Sequence, residues 1–285
     1  MAAKGAWFRE APASWSDHIA VGRQVADMGS EPLPCRLRPN RHCHALEVSQ
    51  TCGGGQASMF STIEEFAPQG TEAGAALVLQ DDSDRYIFFL AGTRHQRQCP
   101  PGELFYAGIG GHREPDEGWL SCVHREVREE IGAEVDIVPS PTTWHVPTQG
   151  PVRPLELSDR PRPLALCEMI HPPGTPRVGE LYRIVIYRGR LRGTPRILLP
   201  DEVRGIVGLT ERQVMLGPDR RPRLAELLEE GACLVAGEEH VKPDVRLYPI
   251  GTADALARIL PHLGPPSPAV QQTSVDPSGL ESEAR

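Results

Sequence analysis

The sequence has no long hydrophobic run. Its longest apolar stretches, 75–79 and 86–91, are far shorter than the about 20 residues a membrane-spanning helix needs. No membrane partner is therefore expected. The opening stretch MAAKGAWFREAPASW has no apolar segment behind a basic start, so no secretory signal is expected. CxxC pairs are also missing. The seven cysteines are Cys35, Cys43, Cys52, Cys99, Cys122, Cys167 and Cys233. An odd, scattered set in a chain of this size argues against a disulfide framework and for a reducing, cytoplasmic setting. A basic excess is absent as well: 30 Lys and Arg stand against 38 Asp and Glu, a net charge of −8. That balance argues against a nucleic-acid duplex as partner, because phosphates ask for a basic surface. No repeat of fixed period is visible.

What is present is 285 residues, enough for one large domain or two small ones. The hydrophobic share, 39%, can build a core, although it lies somewhat below the usual value. Proline (29) and glycine (28) are both abundant, which predicts long irregular connections around a compact centre.

Residues 1–70 are broken by Pro and Gly and read as an irregular N-terminal extension. From 74 the texture changes. AALVLQ (75–80) and YIFFLAG (86–92) flank the polar turn DDSD and predict a hairpin. ELFYAG (103–108) predicts a third strand ending at glycines. Leu120, Val123, Val127 and Ile131 make one helical stripe, and Gly132 follows where a helix-ending glycine belongs. A strand is expected at 133–138. Residues 139–163 hold seven prolines and predict a loop. Strands resume at 164–170 and 180–191. Helices are expected at 210–216, 223–230 and 253–260. The last 22 residues, rich in Pro, Ser, Gln and acids, predict a disordered tail. Strands, one helix, strands, then helices make a mixed α/β sandwich.

The segment 110–134, GGHREPDEGWLSCVHREVREEIGAE, carries the chemistry. Glu126, Glu129 and Glu130 stand at i, i+3 and i+4, so their carboxylates share a helix face, with the apolar stripe expected on the other side. Like charges at this spacing cost a few tenths of a kcal/mol, so their convergence needs a reason. A hard divalent cation supplies one. Arg125 can clamp a carboxylate in bidentate fashion, and Glu117 is a natural partner. Gly110 and Gly111 allow a tight turn whose carbonyls could also ligate a cation. The alternative is a solvated acidic face, with Arg125 in a surface pair with Glu129.

Here the sequence resembles the Nudix family. The signature G-x5-E-x7-R-E-U-x-E-E-x-G-U, with U a bulky aliphatic residue, is matched by Gly111, Glu117, Arg125, Glu126, Val127, Glu129, Glu130 and Gly132. The single departure is Ala133 at the last aliphatic position. The resemblance implies a Nudix-type α/β/α sandwich with a mixed sheet over 71–213; the helical C-terminal segment over 214–263 and the tail over 264–285 are read from the residues alone and lie outside it. It implies a metal-dependent hydrolase that cleaves the diphosphate of a nucleoside diphosphate linked to another group, a small-molecule substrate. Glu126, Glu129 and Glu130 would then ligate Mg²⁺ or Mn²⁺, joined by a carbonyl of Gly110 or Gly111. Glu117 and Arg125 would form the supporting ion pair. Glu202 is the candidate general base outside the signature, with Glu168 and Glu180 as rivals. The alternative is a Nudix-fold sensor or scaffold that binds a nucleotide without turnover. The substrate is not legible: no SQPWPFP-like string follows the helix, and LAGTRHQRQ does not match the string of coenzyme A pyrophosphatases. Pro147 and Pro151 only hint at ADP-ribose.

Other features have blander readings. Trp144 and His145 could line a substrate lid, but anchoring a long loop is favoured. Arg153, Arg160 and Arg162 could meet phosphate, but a solvated loop face is favoured. Cys35, Cys43 and Cys52 with His42 and His44 lack zinc-site spacing. Gly53, Gly54 and Gly55 read as a turn. The two chain ends leave room for specificity determinants or a homodimer interface.

Overall fold

The computed structural model describes residues 59–96, 99–171 and 177–263. The expected N-terminal extension up to 58, its cysteine, histidine and glycine clusters, and the tail from 264 lie outside the described residues.

The chain runs through α1 (Ile63–Phe66), β1 (Ala73–Gln80), β2 (Tyr86–Ala91), α2 (Thr93–Gln96), β3 (Glu103–Ala107), β4 (Gly110–His112) and α3 (Trp119–Ile131). It continues through β5 (Glu134–Val138), β6 (Thr143–Val146), β7 (Arg153–Leu155), β8 (Ala165–Ile170), β9 (Leu181–Arg192) and β10 (Val203–Leu209). The last elements are α4 (Glu211–Arg220), α5 (Leu224–Glu229), β11 (Cys233–Ala236), β12 (Arg246–Pro249) and α6 (Thr252–Ile259).

One mixed sheet organises these elements, with the order β11-β10-β2-β1-β9-β8-β6-β7. β1 pairs β9 in parallel over eight residues, from Ala73↔Arg183 to Gln80↔Arg190. β3 with β12 and β6 with β8 are also parallel, and the other pairings are antiparallel. Successive side chains of a strand point to opposite faces. All of β1 but its last residue is buried, so the sheet is covered on both faces there. α3 packs against β1, β4 and β5, while α6 packs against β1, β3, β6 and β8. The α/β/α sandwich follows from that double burial.

The expected β1–β2 hairpin is present. Asp81 accepts hydrogen bonds from the Ser83 and Arg85 amides and shapes its turn. The proline-rich stretch differs from its expected loop, since β6 and β7 lie within it. Pro154 is tolerated because β7 is the sheet's edge, where a missing N–H breaks no ladder. Trp144 and His145 sit inside the fold: Trp144 lies 5.4 Å from the His262 ring, and His145 packs edge-on against Phe60 at 5.6 Å. Arg160 and Arg162 donate to loop carbonyls of Leu157 and Pro141. The C-terminal segment holds its three expected helices and two further strands. β11 extends the sheet beside β10, and β12 pairs with β3. Four-residue strands leave too short a pattern to be read from sequence.

Candidate active site

α3 is a 13-residue helix opened by Gly118 and closed by Gly132 in the left-handed conformation, φ 57° and ψ 28°. Its last carbonyls are not left bare. The amide of Arg196 bonds the Ile131 carbonyl at 2.8 Å, and that of Leu198 bonds the Glu130 carbonyl at 3.3 Å. The stripe of Val123, Val127 and Ile131 is buried as expected. The acids are not on the opposite, solvated side. Glu126 and Glu130 are themselves buried, 4% and 3% exposed, and only Glu129 faces water. At about 100° per residue the two lie just beside the stripe, and β4 covers that flank.

Gly111 shows why this flank closes. A Cβ there would lie 2.1 Å from Oε1 of Glu126, so the carboxylate rests against the bare backbone of β4. At Gly110 a Cβ would meet the backbone of Ala75 and Ala76 at 2.4–2.5 Å. The Gly110 amide also donates to the Glu130 carboxylate. Gly111→Ala should therefore push Glu126 out of place, and we expect at least a tenfold loss of metal affinity in a folded protein. Metal titration with circular dichroism as the folding control checks this.

Arg125 is the hub of the cluster. Its Nε and Nη2 donate to the two oxygens of Glu117 at 2.8 and 3.0 Å. Its Nη1 reaches Glu126 at 2.7 Å and Glu129 at 3.2 Å, and Nη2 also reaches the His112 carbonyl at 3.0 Å. Burial alone would raise the Glu117 carboxyl, but the bonds from Arg125 outweigh it and hold the group below its ordinary value. A lysine has no planar fork to span these partners. Arg125→Lys should weaken metal binding by about 10–100-fold, the usual cost of losing a group that orients ligands. Calorimetric titration with Mn²⁺ reads the change.

The remaining acids oppose one another. Burial drives Glu126 up to about 7 against the pull of Arg125, with Glu129 and Glu202 pushing the same way. Burial drives Glu130 well above its ordinary value, and Glu126 and Glu202 add to it. Oε2 of Glu130 is buried without a hydrogen-bond partner. Such an oxygen, among carboxylates that cannot all ionise cheaply, suits a divalent cation.

Glu202 enters from outside the signature. It precedes β10 in a turn whose backbone crosses the end of β2, and a Cβ on Gly92 would strike it at 2.4–2.6 Å. The Gly92 amide donates to the Glu202 carbonyl at 2.8 Å. Arg94 pairs with the Glu202 carboxylate and with Asp201, the latter at 3.1 Å. Burial raises Glu202 despite that arginine. Glu130 and Glu202 border one apolar pocket, walled by Phe89, Phe105, Met169 and Ile250. The rivals lie elsewhere: Glu168 faces His145 at 3.7 Å, and exposed Glu180 faces Arg177 at 3.9 Å. Sequence reasoning missed Arg94. Its only signal was a basic residue just after the strand-ending Gly92.

A family model described as the NUDIX domain matches residues 70–230, more than half of the chain. The chain belongs to the Nudix family. With every acid of the signature present it is a Nudix hydrolase, and Nudix hydrolases generally use divalent metals. No curated protein matches it. Among solved structures, a MutT Nudix hydrolase from Burkholderia pseudomallei is 18% identical. It matches over 47% of this chain and 79% of its own, with a TM-score of 0.31. A MutT protein from Methanosarcina mazei Go1 is 11% identical over 56% and 88%, with a TM-score of 0.35. An Ap4A hydrolase from C. elegans is 12% identical over 51% and 84%, with a TM-score of 0.34. Likenesses this distant carry no argument about substrate. No helix among the described residues is long and apolar enough to cross a membrane.

Proposed function

We propose that this Nudix hydrolase cleaves the diphosphate of a nucleoside diphosphate linked to another group, using Mg²⁺ or Mn²⁺ held by Glu126, Glu129 and Glu130. A carbonyl of Gly110 or Gly111 completes the donor set. The observation that carries the reading is the buried, unpartnered Glu130 oxygen among mutually repelling carboxylates. The cation supplies charge neutralisation at the phosphate oxygens and a lowered pKa for water.

The chain's own residues do the rest. Arg125 and Glu117 fix the carboxylates in place before substrate arrives. Glu202, its pKa raised by burial, takes a proton from the attacking water, and Arg94 orients it. Water adds to one phosphorus, the bridging P–O bond breaks, and two phosphate-bearing fragments leave. The apolar pocket beside Glu130 and Glu202 receives a flat or apolar part of the substrate flanking the diphosphate. The free thiols Cys99, Cys122, Cys167 and Cys233 suit a reducing cytoplasm.

The test is a hydrolysis screen with Mg²⁺ and Mn²⁺ over ADP-ribose, NADH, nucleoside triphosphates, dinucleoside polyphosphates and sugar nucleotides. Glu129→Gln runs beside the native protein. Cleavage of one class that falls sharply in the variant supports the reading. Tight binding of a nucleotide with no turnover would favour a sensor instead.

A further inference from the structure

Glu72, His112 and His171 are far apart in sequence and meet in the fold. Glu72 precedes β1, His112 ends β4 and His171 follows β8. One ligand atom from each lies within 4.8 Å of the others. His171 is 2% exposed, and neither of its ring nitrogens has a hydrogen-bond partner. A buried imidazole left that way is costly unless something occupies a lone pair. Tyr182 packs against both rings, with centroids 4.8 Å from His112 and 5.2 Å from His171. Oε1 of Glu72 bonds Nε2 of His112, while Oε2 is taken by Arg177.

We propose that Glu72, His112 and His171 form a second metal site, distinct from the signature acids, that takes a transition ion of the Zn²⁺ type. Two imidazoles and a carboxylate are the donor set such an ion prefers, whereas an all-oxygen set suits Mg²⁺. A tetrahedral ion with bonds of about 2.0–2.1 Å wants its ligand atoms roughly 3.3 Å apart. The ligand atoms lie within 4.8 Å of one another, so binding needs small side-chain rotations, including the opening of the Glu72–His112 hydrogen bond to admit the ion. Three protein ligands leave a fourth position for water. Arg177 holds the outer oxygen of Glu72 and orients the inner one toward the ion. Its positive charge opposes the cation, but its side chain is 51% exposed and water screens it. The ion ties together the start of β1 and the ends of β4 and β8. It also steadies His112, whose carbonyl Arg125 grips. The inference stands apart from the proposed reaction, since no residue of the site does chemistry.

The full-length protein, stripped by chelator, is titrated with Co²⁺ and then with Zn²⁺. With excess Mg²⁺ present to fill the signature acids, a strong visible band that saturates at one equivalent of Co²⁺ and is displaced by Zn²⁺ is expected. His171→Asn and His112→Gln should each weaken Zn²⁺ binding at least tenfold, whereas Glu126→Gln with Glu130→Gln should leave it unchanged. Absence of the band overturns the proposal, and so does a band that persists in a folded His171→Asn. If that variant does not fold, X-ray absorption on the native Zn²⁺ complex decides. Two imidazole nitrogens without sulfur support the site, and thiolate sulfur overturns it.

Discussion

Glu130→Gln is expected to lower kcat by about a hundred- to a thousandfold and, at the same time, to stabilise the metal-free protein. The two effects share one cause. The Glu130 carboxyl is 3% exposed, has one orphaned oxygen and shares its surroundings with Glu126 and Glu202. Without a cation, folding must either bury a charge or take up a proton. Glutamine keeps the shape and needs neither. A thermal melt without metal should therefore shift upward, while the shift caused by Mg²⁺ or Mn²⁺ shrinks. Glu134→Gln is the control, because Glu134 is an exposed acid just beyond the same helix. If Glu130→Gln keeps full activity, or destabilises the metal-free protein as a lost structural contact would, the carboxylate is not there for a cation.

The metal-free protein should lose stability as pH rises from about 4.5 to about 7, and a divalent cation should restore it. Glu126 has a folded-state value of about 7 against an ordinary 4.5. Between those values the folded chain holds a proton that the unfolded chain has released. Stability then falls with rising pH, by about 3 kcal/mol for a shift of this size. The sign is opposite to that of a carboxylate held by an arginine, and Glu117, lowered by Arg125, shows that case. A cation competes with the proton, so its affinity should rise about tenfold per pH unit for each proton displaced below pH 7. At 100 times its dissociation constant it adds about 2.7 kcal/mol. For a domain of this size that is roughly 5–10 °C in the melting midpoint. The measurement is the Mn²⁺-induced shift at pH 5.5 and at pH 8. Equal shifts would mean that no carboxylate gives up a proton to the ion.

The signature was legible because its chemistry needs fixed spacing. On the proposed reading, carboxylates that share one ion must stand about one helical turn apart, and the Arg125 fork lies within reach of Glu117. Burial was not legible. The residues 126 and 130 carry charge, and charge alone points to a solvated face. Only the absence of a side chain at Gly111 lets β4 close over them. Glu202 could be named from the family resemblance, by its place between the late strand and the following helix, but the strand β10 that follows it and Arg94 beside it could not. The pairing of Arg94 with Glu202 depends on a turn crossing the end of β2 more than 100 residues away.

From composition and spacing alone follow short strands mixed with helices, the α3 helix with its glycine stop, and the acids 117, 126, 129 and 130 around Arg125. These are local: each depends on residues within about two dozen positions. The charge pattern is local too, since residues 112–134 hold seven acids against three arginines, a net −4 of the chain's −8. Folding alone settled the rest. It placed Glu202 beside Glu130, put strands into the proline-rich stretch, joined β12 to β3, and gathered Glu72, His112 and His171. Each of these needs segments brought together by the burial of both faces of one sheet, and no periodicity along the chain records which segments will meet.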